Sequence, residues 1–141
     1  MKQALEPFER FYTQQLAKAD LSSLREVYSP HVEFIDPVDR LAGIDALESY
    51  FHHLMNGLES CHFDISTIQA GDAEAFVIWQ MRICHPRVRG GAEICIEGAS
   101  HLKFTSQIDY HRDYYDLGAM LYEHLPLLGR AVRRLKRRLA L

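Results

Sequence analysis

Apolar positions recur every three or four residues along the first part of the chain, which is the spacing of an amphipathic helix. Two segments follow this pattern and are predicted to be helices, marked by Leu5, Phe8, Phe11, Tyr12 and Leu16 and by Ile44, Leu47, Phe51, Leu54 and Leu58. Between them, Asp20 is predicted to cap a short helix that ends at Ser29-Pro30. Residues 32–37 are predicted to form a short strand that ends at Pro37.

After Asn56-Gly57, apolar and polar positions alternate, which is the period of a β-strand. Four segments with this period are separated by breaks rich in turn residues. They are predicted to be antiparallel strands over residues 62–68, 74–84, 93–104 and 108–115. Helices followed by a run of long hairpins predict an α+β domain.

The composition fits one globular domain. A chain of 141 residues with 48% hydrophobic and 25% charged residues is long enough to bury a core. No apolar run approaches the roughly 20 residues of a membrane span, and Glu6 and Pro7 interrupt the N-terminal segment where a signal peptide would be apolar. The three cysteines form no CxxC motif, and their odd number argues against a disulfide framework. We therefore expect a cytoplasmic protein.

Charge is distributed unevenly between the body of the chain and its end. Residues 130–141 contain six of the 16 basic residues and none of the 19 acidic ones, so residues 1–129, with 10 basic and 19 acidic residues, carry a formal charge of −9. We expect the folded domain to span residues 1–122. The basic segment 123–141 is expected to form an extra amphipathic helix with an apolar stripe at Leu125, Leu128, Val132, Leu135 and Leu139.

Two interpretations of this helix are open. Its apolar stripe docks on the domain and leaves the basic side chains in water, which we favour. Alternatively, the helix makes a weak contact with an anionic membrane or an acidic partner. Nucleic acid is not expected as a partner, because the acidic body would be repelled by the phosphates.

One longer pattern resembles a known family. The run Tyr28–Val38 contains a tyrosine, a turn, a strand and the pair Asp36-Pro37, and Ala42-Gly43-Ile44 then leads into a helix. Together with the closing strand His111–Asp116, this order resembles the SnoaL-like branch of the nuclear transport factor 2-like superfamily, which is related to ketosteroid isomerases and polyketide cyclases. The resemblance covers roughly residues 5–122. It implies a cone-shaped, strongly curved antiparallel sheet that packs against the N-terminal helices around an apolar pocket.

Asp36 is the first candidate for chemistry. Because it follows Phe34-Ile35 at the end of a strand, its carboxylate is expected beside apolar walls, where poor solvation would make it a better base. The alternative is a carboxylate that caps the following loop through backbone N–H groups. The resemblance to ketosteroid isomerases places Asp36 at their catalytic aspartate and Tyr12 at their oxyanion tyrosine. Ser100 stands where they have a second donor, and Tyr12 is otherwise an ordinary core residue.

The last strand supplies a second candidate cluster. Strand alternation puts His111, Asp113 and Tyr115 on one face, which in the resembling family lines the cavity. A histidine beside a carboxylate provides a proton shuttle near neutral pH. Alternatively, Asp113 pairs with Arg40 or another basic group and His111 is a satisfied interior residue. Trp79 is expected in the core or in the cavity wall, where it would stack on a ligand.

Motifs for bound metals and cofactors are missing from the sequence. His52-His53 point about 100° apart on a helix, so they cannot hold one ion together. There is no Walker loop, no GxGxxG motif and no nucleophile elbow. We therefore expect neither a metal nor a cofactor.

These patterns support two hypotheses of different kinds. The first is an enzyme that acts on a hydrophobic carbonyl compound by acid–base chemistry, as an isomerase, cyclase or dehydratase. The second is a non-catalytic binding protein for an apolar or acyl-chain ligand. The candidate residues are Asp36, His111 and Asp113 for catalysis, and Tyr12, Ser100, Trp79 and Tyr115 for substrate binding.

A homodimer is also expected. Ala99, Tyr110 and Tyr114 occupy outward positions of the predicted sheet, and exposed aromatic area on a small domain usually marks an interface. Domains of the resembling fold commonly pair through this face.

Overall fold

A computed structural model of the protein describes residues 2–120 and 126–140 and confirms the α+β class. Helices run over Lys2–Arg10 (α1), Leu24–Val27 (α2), Ile44–Gly57 (α3), Leu117–Met120 (α4) and Pro126–Leu139 (α5). Strands run over Tyr28–Ile35 (β1), Arg40–Ala42 (β2), Ser60–Ala70 (β3), Glu74–Cys84 (β4), Ile94–Phe104 (β5) and Ile108–Tyr115 (β6). Within the described residues, no helix combines the length and the apolar character that a bilayer crossing requires.

The N-terminal helix changes its pitch after α1. Phe11–Gln15 form a π-helical turn, and Leu16–Lys18 form a 3₁₀ turn. Neighbouring side chains on a regular α-helix point about 100° apart, yet Phe11 and Tyr12 are both buried, with exposed fractions of 0% and 6%. Single π turns are frequent at functional sites. Here the π turn contains the tyrosine that the sequence singles out.

Asp20 does not cap α2, contrary to expectation. The helix begins at Leu24, and its N-cap residue Ser23 makes no capping hydrogen bond through its side chain. Asp20 Oδ1 instead accepts a hydrogen bond from the backbone N–H of Ser22. The aspartate therefore stabilises the turn that precedes the helix.

The six strands form one sheet in the order β2-β1-β6-β5-β4-β3. Strands β3 to β6 pair antiparallel, as the alternation predicts. Strand β1 begins at Tyr28, four residues before the predicted start, and Ser29-Pro30 belong to it, because a residue before proline favours extended backbone. Strand β1 also pairs parallel with β6, and β2 pairs with β1. Neither of these pairings follows from the hairpin pattern.

The sheet has a buried inner face and an exposed outer face. On β4, buried side chains alternate with partly exposed ones; the buried set is Ala75, Val77, Trp79, Met81 and Ile83. Shifts of register within β3–β4 and β5–β6 add local bends. The side chains of the N-terminal helices and α3 join the same buried cluster as the inner face of the sheet. The core and the space for a ligand therefore lie on the concave side.

The basic segment forms the expected helix, but three leucines of its apolar stripe are exposed. Helix α5 spans Pro126–Leu139, while Leu125 and the expected boundary at residues 122–123 lie outside the described residues. The exposed fractions of Leu128, Leu135 and Leu139 are 45%, 59% and 74%. The expectation that these leucines pack on the domain is therefore wrong.

The contacts of α5 explain why these three leucines face away from the domain. Lys136 pairs with Asp116, which follows β6, and Val132 Cγ1 lies beside Gly118 in α4. Lys136 is about 100° around the helix from Leu135. Because the helix meets the domain on the Lys136 side, its leucines are turned towards solvent.

Gly98 leaves room for the indole of Trp79 on the inner face. The two residues are directly paired in the β4–β5 register, and a Cβ atom at Gly98 would lie 2.4 Å from Trp79 Cη2. No carbon pair tolerates that approach, so a side chain at residue 98 would displace the indole. The glycine thus allows a buried tryptophan to lie across the sheet.

We predict that Gly98→Ala lowers the free energy of unfolding by about 1–3 kcal/mol, the usual cost of overfilling a packed core. Chemical denaturation measures the difference. Gly71→Ala is the matched control, because a Cβ atom there would lie at an ordinary 3.7 Å from the carbonyl oxygen of Glu74. Trp79→Phe in the Gly98→Ala background should recover part of the loss. Equal stability of Gly98→Ala and the unchanged protein would contradict this packing.

Candidate functional site

A largely apolar cavity lies between the inner face of the sheet and α3. Its volume is about 160 Å³, close to that of an engineered cavity of roughly 150 Å³ that takes up benzene. Apolar walls come from both layers and include Phe34, Phe51, Phe63 and Met81. The wall also contains a small set of polar or ionisable side chains: Tyr12, Asp36, Tyr50, His85, Asp113 and Tyr115.

A continuous line of hydrogen bonds, called here the polar chain, runs through the buried wall of this cavity. Its members, in order, are Trp79, Ser100, Asp113, His111, Tyr28 and Tyr12. Trp79 Nε1 lies 2.8 Å from Ser100 Oγ, and Ser100 Oγ lies 2.5 Å from Asp113 Oδ1. The polar chain joins strands β4, β5, β6 and β1 to the N-terminal helix.

The second half of the polar chain is centred on an imidazole. His111 is 1% exposed; its Nε2 lies 2.6 Å from Asp113 Oδ1, and its Nδ1 lies 2.8 Å from the hydroxyl of Tyr28. The hydroxyl groups of Tyr28 and Tyr12 are 2.6 Å apart. Both ring nitrogens therefore have hydrogen-bond partners. This agrees with the alternative that His111 is a satisfied interior residue.

Donor chemistry orders the bonds from the tryptophan end. The indole N–H only donates, so it occupies a lone pair of Ser100 Oγ, and the serine hydroxyl donates its proton to Asp113 Oδ1. An ionised Asp113 only accepts, so His111 donates from Nε2. In the neutral imidazole, Nδ1 then accepts a hydrogen bond from Tyr28, which requires Tyr12 to donate to Tyr28.

The two oxygens of Asp113 have different surroundings. Ser100 and His111 both bind Oδ1, and no hydrogen bond from the described residues reaches Oδ2. The side chain is 15% exposed and lines the cavity. The expected alternative of a pair with Arg40 is wrong, because Arg40 lies near Glu33, with 3.8 Å between Arg40 Nη2 and Glu33 Oε1.

Asp36 combines the two roles that the sequence leaves open. It lines the cavity and is 8% exposed, yet its Oδ1 accepts hydrogen bonds from the backbone N–H groups of Val38 and Asp39, each at 2.8 Å. Its Oδ2 accepts a hydrogen bond from the Tyr50 hydroxyl at 2.7 Å. The carboxylate therefore caps the turn after β1, and both of its oxygens have donors.

Four tyrosine hydroxyls around the cavity resist ionisation. Burial raises the pKa of Tyr12 and Tyr28 well above their ordinary value. Burial also raises the pKa of Tyr50 and Tyr115, and the negative charge of Asp36 raises both further. These hydroxyl groups therefore remain protonated donors across the physiological pH range.

The structure brings most of the residues singled out from the sequence to one place. Of the residues singled out from the sequence, those that line the cavity are Tyr12, Asp36, Trp79, Asp113 and Tyr115. Ser100 borders a small adjoining void together with Tyr12, Trp79 and Asp113. His111 lies behind Asp113 and does not border the cavity. The residues thus converge, with two of them in the second layer of the wall.

Two tyrosines of the site received no role from the sequence. Tyr50 lies at the border of the α3 apolar stripe, beside Phe51, and a tyrosine at such a border often directs its hydroxyl to a polar group. Tyr28 begins β1 and is fully buried. Its partner His111 is 83 residues away, so local pattern carries no signal for that bond.

The described part of the chain contains no cluster of three or more His, Cys, Asp or Glu side chains that could hold a metal ion.

The fold has many structural relatives of low sequence identity. A protein from Jannaschia sp. CCS1, named as a SnoaL-like polyketide cyclase, is 15% identical, with a TM-score of 0.73 over 85% of this chain and 90% of its own. A protein from Acidithiobacillus ferrooxidans, named as a polyketide cyclase, is 16% identical, with a TM-score of 0.72 over 86% and 94%. A protein from Catenulispora acidiphila with a ketosteroid isomerase-like fold, in complex with trimethylamine, is 13% identical, with a TM-score of 0.73 over 87% and 93%.

Far fewer proteins resemble the chain in sequence than in fold. No curated protein matches the chain. The family model of the SnoaL-like domain matches residues 8–107, which include β1 to β5 and the helices that cover them. This match confirms the resemblance to SnoaL-like proteins that the Tyr28–Val38 run indicates, and the chain belongs to the SnoaL-like family.

Proposed function

We propose that this protein is an enzyme that acts on a small hydrophobic carbonyl compound by acid–base chemistry of the isomerase, cyclase or dehydratase type. The observation that carries the proposal is the Asp113 carboxylate in the wall of an apolar cavity. One of its oxygens is held by two donors, and the other receives no hydrogen bond from the described residues. Structural neighbours named as polyketide cyclases support a carbonyl-containing substrate class.

Hydrogen bonding favours Asp113 over Asp36 as the base. A carboxylate oxygen whose lone pairs already accept hydrogen bonds is less accessible to a substrate proton than one without donors. Asp36 receives three such bonds, distributed over both oxygens. Asp113 receives two, both at Oδ1. Asp113 Oδ2 is therefore the better placed atom to take a proton, and Asp36 with Tyr50 serves as a polar anchor for the substrate.

The reaction begins with removal of a proton next to the substrate carbonyl. Asp113 Oδ2 takes the proton, and the electrons of the broken C–H bond form an enolate whose negative charge lies on oxygen. His111 keeps its hydrogen bond to Oδ1 and holds the carboxyl group in one orientation. An isomerase returns the proton to another carbon. In a cyclase the enolate carbon attacks a second carbonyl, the electrons of that C=O π bond move to its oxygen, and the resulting alkoxide takes the proton back from Asp113.

Tyr115 supplies the donor for the developing enolate oxygen. It follows Asp113 by two residues on the same face of β6, so both side chains point into the cavity. The described residues offer no hydrogen-bond partner to its hydroxyl, and its raised pKa keeps the proton in place. A neutral donor held in a largely apolar cavity stabilises an oxyanion more strongly than water does.

A second candidate function is ligand binding without chemistry. Two observations favour simple binding. Most of the cavity wall is apolar, and both oxygens of Asp36 already accept hydrogen bonds from the protein. The chain contains a single tryptophan, Trp79, and that residue lines the cavity. Its fluorescence therefore reports binding independently of turnover.

Exchange of α-protons tests the enzymatic proposal. We expect the protein to accelerate deuterium exchange next to the carbonyl group of small aryl ketones in heavy water, followed by proton NMR. Asp113→Asn should lower this rate by about 10²–10⁴-fold, the usual contribution of a general base. Tyr115→Phe should lower it less, and Asp36→Asn least of the three, provided that denaturation shows each variant to be folded.

Trp79 fluorescence separates the outcomes of that experiment. Quenching by a ketone that exchanges no faster than in buffer would establish the binding protein instead. Full exchange activity in Asp113→Asn would contradict the assignment of the base. If Asp36→Asn lowers the exchange rate more than Asp113→Asn does, Asp36 is the base instead.

The raised tyrosine pKa values predict an unusual alkaline titration. Ordinary tyrosines ionise near pH 10, so at most three of the seven should show tyrosinate absorbance in the native protein at about pH 11. Above pH 10 the unfolded chain loses these protons and the folded chain keeps them, so stability falls as the pH rises. Absorbance of all seven tyrosines before unfolding would contradict the burial of these hydroxyls.

We also propose that the protein forms a homodimer through the outer face of the sheet. Tyr114, Phe76 and Ile78 are 51%, 49% and 46% exposed. Ala99 pairs with both Ile78 and Tyr114 in register, so these side chains form one patch. Tyr110 adjoins this patch through its ring contact with His101.

The oligomeric state tests this interface. Ile78→Lys should convert the dimer to a monomer in analytical ultracentrifugation at micromolar concentration, because a charge would be buried without a partner. Val38→Lys is the matched control, since Val38 is 61% exposed and lies in the turn after β1. A monomeric unchanged protein would rule the interface out.

A further inference from the structure

Helix α5 lies outside the cavity, and its surface has a basic part and a separate apolar stripe. Its 14 residues contain six basic side chains and no acidic ones. Leu128, Leu135 and Leu139 are exposed along one stripe, and Arg134 and Arg138 are exposed beside it. An apolar stripe flanked by arginines on a helix of low overall hydrophobicity is the pattern of helices that lie in the membrane interface.

We propose that α5 is a docking surface for an anionic lipid membrane. In this arrangement the helix lies parallel to the bilayer, the three leucines enter the boundary between headgroups and acyl chains, and the arginines remain at the level of the phosphates. At 1.5 Å per residue the helix is about 21 Å long, shorter than the roughly 30 Å hydrocarbon core, which fits lying on the surface.

Charge complementarity and apolar burial together select lipid among anionic partners. A nucleic acid would neutralise the arginines but would leave the three leucines in water. A second α5 helix would bury the leucines but would bring two sets of six positive charges together. An anionic bilayer satisfies both faces of the helix at once, because its phosphates and its acyl chains lie a few ångströms apart.

The contacts of α5 orient the domain on such a surface. Lys136, about 100° around the helix from Leu135, pairs with Asp116. The residues outside α5 contain 10 basic and 19 acidic side chains, a formal charge of −9. An acidic domain held at the side of the helix is repelled from the anionic surface, so the contact is confined to α5.

Sedimentation with vesicles tests the proposal on the full chain. We expect binding to phosphatidylcholine vesicles that contain about one third phosphatidylserine and no binding to phosphatidylcholine alone. Raising the salt from about 0.1 M to about 1 M should release the protein, because the screening length falls from about 10 Å to about 3 Å.

Paired substitutions on exposed positions separate the two faces of α5. Arg134→Gln with Arg138→Gln should weaken binding about 30-fold, and Leu135→Asn with Leu139→Asn should weaken it at least tenfold. The matched control is Arg10→Gln with Lys18→Gln, which removes the same charge from exposed positions outside α5. It should change binding less than threefold. Unchanged thermal unfolding verifies that each variant is folded.

Three results would overturn the proposal. The first is no binding of the intact protein to phosphatidylserine vesicles at low salt. The second is vesicle binding that survives the leucine substitutions or falls equally in the control pair, since the contact would then be unspecific charge attraction. The third is conversion of a dimer to a monomer by the leucine substitutions without vesicle binding, which would make α5 an interface between two copies.

Discussion

The interior of this protein depends on the rule that buried polar groups must be hydrogen-bonded. Its apolar core contains an indole N–H, a serine, a carboxylate, an imidazole and two phenols, and the polar chain satisfies them in sequence. Removing one member would leave its neighbours buried without partners, which costs more than the lost bond. Gly98 contributes to the same constraint, because it leaves the space in which Trp79 reaches Ser100.

The two carboxylates of the cavity have different surroundings, because only Asp113 belongs to the polar chain. Asp36 is fully occupied by a turn and by Tyr50, whereas Asp113 is anchored through one oxygen. Two carboxyl groups in one cavity with different surroundings are the usual basis for separate roles in acid–base catalysis. Raised tyrosine pKa values add donors that do not ionise. The proposed division into base, anchor and oxyanion donor follows from these local differences.

The family match includes β1 to β5 and most of the cavity wall, while β6, with Asp113 and Tyr115, and α5 lie outside the matched residues 8–107. The outer sheet face and the leucine stripe of α5 are two separate exposed apolar surfaces. The proposed dimer and the proposed membrane contact therefore use different parts of the chain and are tested by different substitutions.

Periodicity in the sequence determined α3, α5 and strands β3 to β6 to within a few residues, because alternation and helical spacing are local consequences of burying one face. The run Tyr28–Val38, followed by Ala42-Gly43-Ile44 and by the closing strand His111–Asp116, was enough to indicate the family. Tertiary structure alone decided the parallel pairing of β1 with β6, the Tyr28–His111 bond and the exposure of the α5 leucines. Each of these depends on contacts between residues that are far apart in the sequence. The hydrophobic period reports only local burial and contains no information about such long-range contacts. The same reason separates Asp36 from Asp113: sequence placed both beside a cavity, but the hydrogen-bond donors that distinguish them come from distant or backbone groups.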